Sequence, residues 1–289
     1  MSFLKPYFTL FRVYISLFAA CSAATGFFLA PYHRIAGVLI PVAGVFLLAC
    51  GASAFNQYQE RDIDAKMERT RRRPIPTGLI SPMLALIVSL GTMTLGLLAL
   101  VLAGNAIAGA LGLLALLWYN GVYTGLKKIT AFAAIPGAAV GMIPPAIGWV
   151  SAGGALLDPR LLAVCFVFFL WQVPHFWLLL LRHGEEYEKA GLPSLVRVMS
   201  KAQIARVTYI WIFAAAVAVL MLPLYGAVKS SGLYLALVPP AAWIVWSGRF
   251  LASRRPLLSL SSPLFRKINI YLFIMMSLLT LGNIFFTIP

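Results

Sequence analysis

The sequence predicts an all-α, polytopic membrane protein with nine transmembrane helices, and three observations carry that prediction. Hydrophobic residues make up 61% of the 289 positions and charged residues 11%, with mean hydropathy +0.90. A soluble domain carries roughly a quarter charged residues, so too little polar surface remains here to cover a water-soluble globule. Apolar windows of about 20 residues, the length that crosses ~30 Å of hydrocarbon, recur nine times. The basic residues, finally, fall almost wholly on alternate loops between those windows.

The windows lie near 8–30, 35–56, 82–103, 106–123, 131–151, 161–181, 206–225, 231–250 and 268–287, and one transmembrane domain spanning 1–289 is expected. The first, with Lys5 and Arg12 near its start and small residues around Ala20, Cys21 and Ser22, resembles a signal peptide. Eight further windows favour a retained first span. Gly, Ala, Ser and Pro recur within the windows, as close packing of membrane helices requires, and Pro144-Pro145 and Pro239-Pro240 are expected to bend or break their helices. Cys21, Cys50 and Cys165 lie far apart in apolar runs, without the spacing of a zinc site or redox pair.

With nine spans the loops alternate sides. One side collects 20 of the 23 Lys and Arg residues; the other holds Arg34, Arg160 and Lys229. Cytoplasmic loops carry the excess of Lys and Arg, so the N-terminus is expected in the cytoplasm and the chain in the inner membrane of a bacterium. The net charge of +15 is then mostly a topology signal. No soluble basic domain is present to serve a nucleic acid.

The acidic residues are fewer and more informative. Of eight, only Asp158 lies on the outer side; the rest form two clusters, Glu60, Asp62, Asp64 and Glu68 after span two, and Glu185, Glu186 and Glu188 after span six. Acids contribute little to topology, so this placement needs another cause. Asn56, Glu60 and Asp64 are spaced i, i+4, i+8, and on a continuing helix each step turns about 40° and rises ~6 Å, which makes one stripe. Glu60 and Asp64 as a like-charge i,i+4 pair cost a helix some tenths of a kcal/mol, and a divalent cation reverses that sign. Magnesium accepts one or two carboxylates plus substrate phosphate oxygens. An Asn amide and two carboxylates beside the Arg-rich run 69–73 are suitable parts for a magnesium diphosphate. The competing reading is a solvated helix end neutralised by Lys66, Arg69 and Arg72; the second acidic cluster weighs against it.

Glu185 and Glu186 point in different directions on a helix, so at most one reaches a shared metal. Tyr123 and Lys127, again i,i+4, place a phenol and an ammonium on one face. A departing diphosphate needs positive charge, which Lys127, Arg69 or Arg182 can supply; Lys127 and Lys128 also read as ordinary positive-inside anchors. His175 lies in an apolar, aromatic-rich stretch with Trp171 and Trp177, where an ionisable group is costly and by default functional, although a structural histidine packed on aromatics fits the same pattern. His33 and His183 fall in expected loops and are not expected ligands.

These residues resemble the UbiA-type intramembrane prenyltransferases, and within them the branch that farnesylates haem. Asn56, Glu60 and Asp64 carry the first motif, continuing as Asp62-Ile63-Asp64-Ala65-Lys66-Met67-Glu68-Arg69-Thr70 and Arg73-Pro74 through Thr77-Gly78. Tyr123 and Lys127 carry a second element. Gly137 to Gly148, with Gly141 and Pro144-Pro145, resembles the branch's fifth span. Pro174-His175-Phe176-Trp177, then an acid pair, Tyr187, Ala190-Gly191 and Pro193, is the most telling stretch. In two places the pattern departs: Glu60 stands where the family usually has Asp, and Glu185-Glu186 where the haem branch usually has Asp-Asp. Each Glu extends its carboxylate by one methylene, which alters a site built for near-ideal octahedral geometry.

The resemblance implies helices around a central cavity whose cytoplasmic mouth is capped by the two acidic loops. It implies Mg2+ held by Asn56, Glu60, Asp64, Glu185 and Glu186, and farnesyl diphosphate bound through Arg69, Arg73, Lys127, Lys128 and Arg182. It further implies chemistry at Asn56, Glu60, Asp64, Tyr123 and Lys127, and haem B facing His175 and Trp171, with apolar helices shielding an allylic cation from water. A quinone precursor is the alternative acceptor. A transporter is the alternative of another class, but transporters place coupling charges near the midplane, often in repeated halves, and here the acids sit at helix ends.

Overall fold

Backbone that crosses lipid must close its hydrogen bonds internally. The computed structural model describes residues 4–31, 34–102, 105–253, 259 and 261–286, and among these it contains helices and turns and no strand. His33, Arg254, Arg255 and the last residues of the windows 82–103 and 268–287 lie outside the described residues. A short helix, Lys5–Leu10, precedes nine longer segments. They are α1 Val13–Leu29, α2 Leu39–Gln59, α3 Pro82–Leu102, α4 Ala106–Leu126, α5 Ala134–Ser151, α6 Pro159–Lys189, α7 Lys201–Met221, α8 Ser231–Gly248 and α9 Ser261–Phe286. Segments α2 to α9 are long and apolar enough to cross a membrane, and α1 is a shorter apolar helix. All nine windows are thus helical.

Each helix from α1 to α8 packs on the next, and α9 closes on α1, so the nine form a ring. Apolar side chains cover both surfaces. Leu95, Leu102, Ile210, Phe273 and Phe285 are exposed on the outside, while Trp149, Val164, Phe168, Trp171 and Trp177 are buried among α5, α6 and their neighbours. An apolar exterior of this extent needs lipid around it; the protein is integral to a membrane.

Glycines set the tightest crossing. A Cβ on Gly148 of α5 would stand 1.8 Å from the Ala23 carbonyl oxygen of α1, and one on Gly26 would stand 1.9 Å from the Pro145 carbonyl oxygen. The two backbones touch directly, as small residues at membrane interfaces allow.

Several boundaries differ from expectation: α1 starts at Val13 rather than near 8, α9 at Ser261 rather than near 268, and α6 and α7 are longer at the same end of the bundle. Helix α6 has 31 residues, about 46 Å at 1.5 Å per residue, so its last turns project beyond a ~30 Å core. Glu185, Glu186 and Glu188 therefore stand on a helix rather than in a loop; it stops at Ala190, just before Gly191 adopts φ 81°. Helix α7 starts at Lys201, five residues early, because Ser200 and Gln203 form a reciprocal capping box. Pro144 and Pro145 open the helix Ile143–Ser151 after a 3-10 turn at Ala139–Met142, and α8 continues as one helix through Pro239 and Pro240. Membrane helices tolerate proline where neighbours re-satisfy the freed backbone groups.

Gly148→Ala is expected to destabilise the detergent-solubilised protein by roughly 1–3 kcal/mol, read as a lower melting temperature in fluorescence-detected gel filtration. Gly91→Ala, which meets nothing within 4 Å, should leave the melting temperature unchanged.

Candidate active site

The acidic stripe leaves the membrane at the end of α2. Regular helix ends at Gln59, Glu60 turns to φ −104° and ψ 8°, and a single turn follows at Arg61–Asp64. The backbone bonds nevertheless keep the i,i+4 order: Glu60 N–H donates to the Asn56 carbonyl at 3.0 Å, and Asp64 N–H to the Glu60 carbonyl at 2.8 Å. Buried polar side chains pin this end of α2 to its neighbours. Asn56 Nδ2 donates to Thr124 Oγ1 at 3.2 Å, Gln59 Nε2 to the Asn120 carbonyl at 2.9 Å, and Gln57 Nε2 to the carbonyls of Thr9 and Leu10 at 3.0 and 2.8 Å.

Glu60 Oε1 meets Lys127 Nζ at 2.5 Å, and Asp64 Oδ2 accepts from the Arg73 guanidinium at 2.6 Å. Asp64 is 3% exposed. Burial pushes its carboxyl above the usual range, and Arg73 pulls the other way. Burial, together with the charge of Arg12, lowers Arg73 in turn.

The second acidic cluster reaches the same place. Glu186 Oε2 accepts from the Arg69 backbone N–H at 3.1 Å, its Oε1 lies 2.9 Å from His183 Nδ1, and the Arg69 guanidinium donates to the Tyr187 hydroxyl at 3.1 Å. The loop after α2 and the projecting end of α6 are therefore in contact. Glu185, one residue earlier and about 100° around the helix, turns away. Its side chain is 70% exposed and pairs with Lys201 at 2.6 Å.

The wall between the clusters comes from α4. Leu117–Tyr123 winds as a π-helical segment, an irregularity frequent at functional sites. Tyr123 stacks on Tyr119 at 5.9 Å and on Phe176 of α6 at 5.6 Å, with Lys127 Nζ 4.8 Å from its ring centre. Gly137 makes room for that ring, since a Cβ there would lie 2.4 Å from Tyr123 Cδ2. Deeper, Phe176 contacts His175 at 5.8 Å, and His175 lies 4.8 Å from both Trp171 and Phe265. Trp171 Nε1 donates to the Ile268 carbonyl at 2.9 Å. A column of rings thus runs from the charged mouth into the bundle.

Arg12 belongs to this site although the sequence reading counted it only toward topology. It joins Lys5–Leu10 to α1 at φ 44° and ψ 51°, and among the described residues it alone is a non-glycine with positive φ. Such backbone strain clusters at functional sites. Burial works against its charge, yet the electrostatics of Tyr119, Glu60, Asp64 and Tyr187 hold its pKa above the ordinary value. The available signal was a charge inside an apolar window.

Asn56, Glu60, Asp64, Arg69, Arg73, Tyr123, Lys127 and Glu186 are therefore linked around one mouth, with His175 and Trp171 beneath. Glu185, Arg182 and Lys128 are exposed, and Lys128 lines a separate shallow groove with Gly191, Pro193 and Arg197. Among the described residues no three His, Cys, Asp or Glu converge on a metal site. Asn56, Glu60 and Asp64 nonetheless offer hard oxygen donors, which suit magnesium when a diphosphate and waters complete its shell.

Residues 16–270 match the UbiA prenyltransferase family. The chain belongs to that family. It is 43% identical to the protoheme IX farnesyltransferase of Geobacter sulfurreducens over 217 residues, covering 75% of this chain and 80% of that protein. In fold it is similar to a UbiA homolog from Aeropyrum pernix K1, with a TM-score of 0.76 at 18% identity over 96% of this chain and 99% of the other. A UbiA homolog from Archaeoglobus fulgidus bound to GPP and Mg2+ has a TM-score of 0.65 at 14% identity over 95% and 99%.

The Asp64–Arg73 pair should behave as a unit. Asp64→Asn and Arg73→Gln each strand a buried partner, so a double-mutant cycle on thermal stability is expected to give a coupling on the order of 1–3 kcal/mol. Additive losses would contradict the pairing.

Proposed function

We propose that this protein transfers the farnesyl group of farnesyl diphosphate to a vinyl group of protohaem IX (haem B), giving haem O, at the mouth where its two acidic clusters meet. The observation that carries the site is the contact of Arg69 with Glu186 and Tyr187, directly beside the Glu60–Lys127 and Asp64–Arg73 pairs. Haem as acceptor is supported by the 43% identity to a protoheme IX farnesyltransferase.

Asn56, Glu60 and Asp64 would hold Mg2+ on the diphosphate, with Glu186 closing the other side. Bound there, Mg2+ supplies neutralisation of the diphosphate charge and a better leaving group. Lys127 and Arg73 exchange carboxylate for phosphate oxygens, Arg69 and Arg12 add positive charge beside them, and together they stabilise the charge that grows as the carbon–oxygen bond breaks. The faces of Tyr123 and Phe176, below the phosphates, shield the allylic cation and exclude water. Haem B lies against His175 and Trp171 with a vinyl group toward that cation; the vinyl carbon bonds to the farnesyl carbon, water adds to the neighbouring carbon, and one proton is released. The concentration of basic residues at this end supports a mouth facing the cytoplasm, with the bundle in the inner membrane of a bacterium.

Mass spectrometry of haem extracted from cells with and without the chain tests the reading, the expected product being haem carrying a hydroxyethylfarnesyl group. Purified protein given farnesyl diphosphate with haem B or with a hydroxybenzoate separates haem from a quinone precursor; prenylation of the benzoate alone would overturn the acceptor. EDTA should abolish turnover and Mg2+ restore it. Lys127→Met should lower kcat by about 10²-fold or more, with its loss of stability read separately as a lower melting temperature.

A further inference from the structure

On the outer flank of the bundle, at the same end as the mouth, the end of α8 and the first turns of α9 enclose a cavity of about 420 Å3. Trp246, Ser247, Arg249, Pro263, Leu264 and Lys267 line it. The Arg249 guanidinium stacks 3.7 Å from the Trp246 ring centre and donates to the Trp246 carbonyl at 2.8 Å. Lys267 Nζ lies 3.3 Å from Ser247 Oγ, which links the two helices. Lys267 is half-buried, Arg249 is exposed, and Trp246 is 65% exposed.

Among the described residues neither cation has a carboxylate partner. Glu188 is the last acidic residue of the chain, and ten Lys and Arg residues follow it. All eight acids are already paired elsewhere. An anion from outside the protein can supply counter-charge to this cavity. An exposed tryptophan beside two cations at the end of a membrane helix stands at headgroup depth, where basic pockets between helices take anionic headgroups.

We propose that this cavity binds the phosphate headgroup of an anionic phospholipid, held between Arg249 and Lys267 with its chains along Trp246. The same turn of α9 presents Leu264 and Lys267 to the cavity, and Phe265 and Ile268 to His175 and Trp171. A seated lipid therefore braces the helix start that walls the aromatic column. This consequence rests on the proposed function; the binding does not.

Native mass spectrometry of the full chain tests it, after exchange into detergent with phosphatidylglycerol, phosphatidylcholine or inorganic phosphate. The expected result is one retained phosphatidylglycerol, about tenfold less in Arg249→Gln/Lys267→Gln, and retention restored in Arg249→Lys/Lys267→Arg, where charge is kept. Equal retention by wild type and the glutamine variant, or of phosphatidylcholine and phosphatidylglycerol, would overturn the proposal. Displacement of the lipid by millimolar inorganic phosphate would make the site one for a free phosphate and overturn the lipid assignment. Lipid retention is read without turnover, so it stands or falls separately from haem farnesylation.

Discussion

A carboxylate at the border of hydrocarbon keeps its charge only beside a cation, because desolvating an unpaired ion costs far more than the fold can spare. Seven of the eight acidic residues have a Lys or Arg partner within 4.0 Å, and Glu186 lies 2.9 Å from His183 Nδ1. The most enclosed pairs, Glu60–Lys127 and Asp64–Arg73, stand together at the mouth. A mouth balanced in this way can accept a metal diphosphate by exchange. In the proposed exchange Glu60 and Asp64 would turn from ammonium and guanidinium to hold the metal, and Lys127 and Arg73 would turn from carboxylate to phosphate. Each carboxylate and each cation would then keep an opposite charge beside it before and after the exchange.

The fold holds these groups through buried polar bonds rather than through the loop itself. Asn56, Gln57 and Gln59 tie the end of α2 to α4 and to the N-terminal helix. That tether holds the end of the N-terminal helix, two residues before the strained Arg12, against the end of α2. The α1–α5 contact, backbone on backbone at Gly26 and Gly148, fixes the helix that Arg12 begins. Farther inside, Gly137 lets Tyr123 lean onto Phe176, and one ring passes contact to the next down to His175.

The nine helices were legible because lipid allows one solution to backbone bonding, and apolar length reports it directly. The stripe of Asn56, Glu60 and Asp64 was legible because i,i+4 spacing survives even where the helix turns at Glu60. Other features depended on three-dimensional context. Nothing local tells that the α6 helix runs on past Leu181 to Lys189, or that Glu186 rather than Glu185 faces Arg69. That choice is set by the rotation of α6 in its packing. The π-helical segment at Leu117–Tyr123 is likewise a product of neighbours, since its composition is that of ordinary membrane helix. Arg12 reads as a topology charge until the fold brings it within electrostatic reach of Glu60 and Asp64.

The most direct test is anomalous diffraction from crystals grown with Mn2+ and a non-hydrolysable farnesyl thiodiphosphate. The expected result is a manganese peak between the α2 end and the analogue's phosphates, with Lys127 and Arg73 moved from Glu60 and Asp64 onto phosphate oxygens. An analogue bound elsewhere, with no peak at the mouth and both ion pairs intact, would contradict partner exchange as the basis of the site.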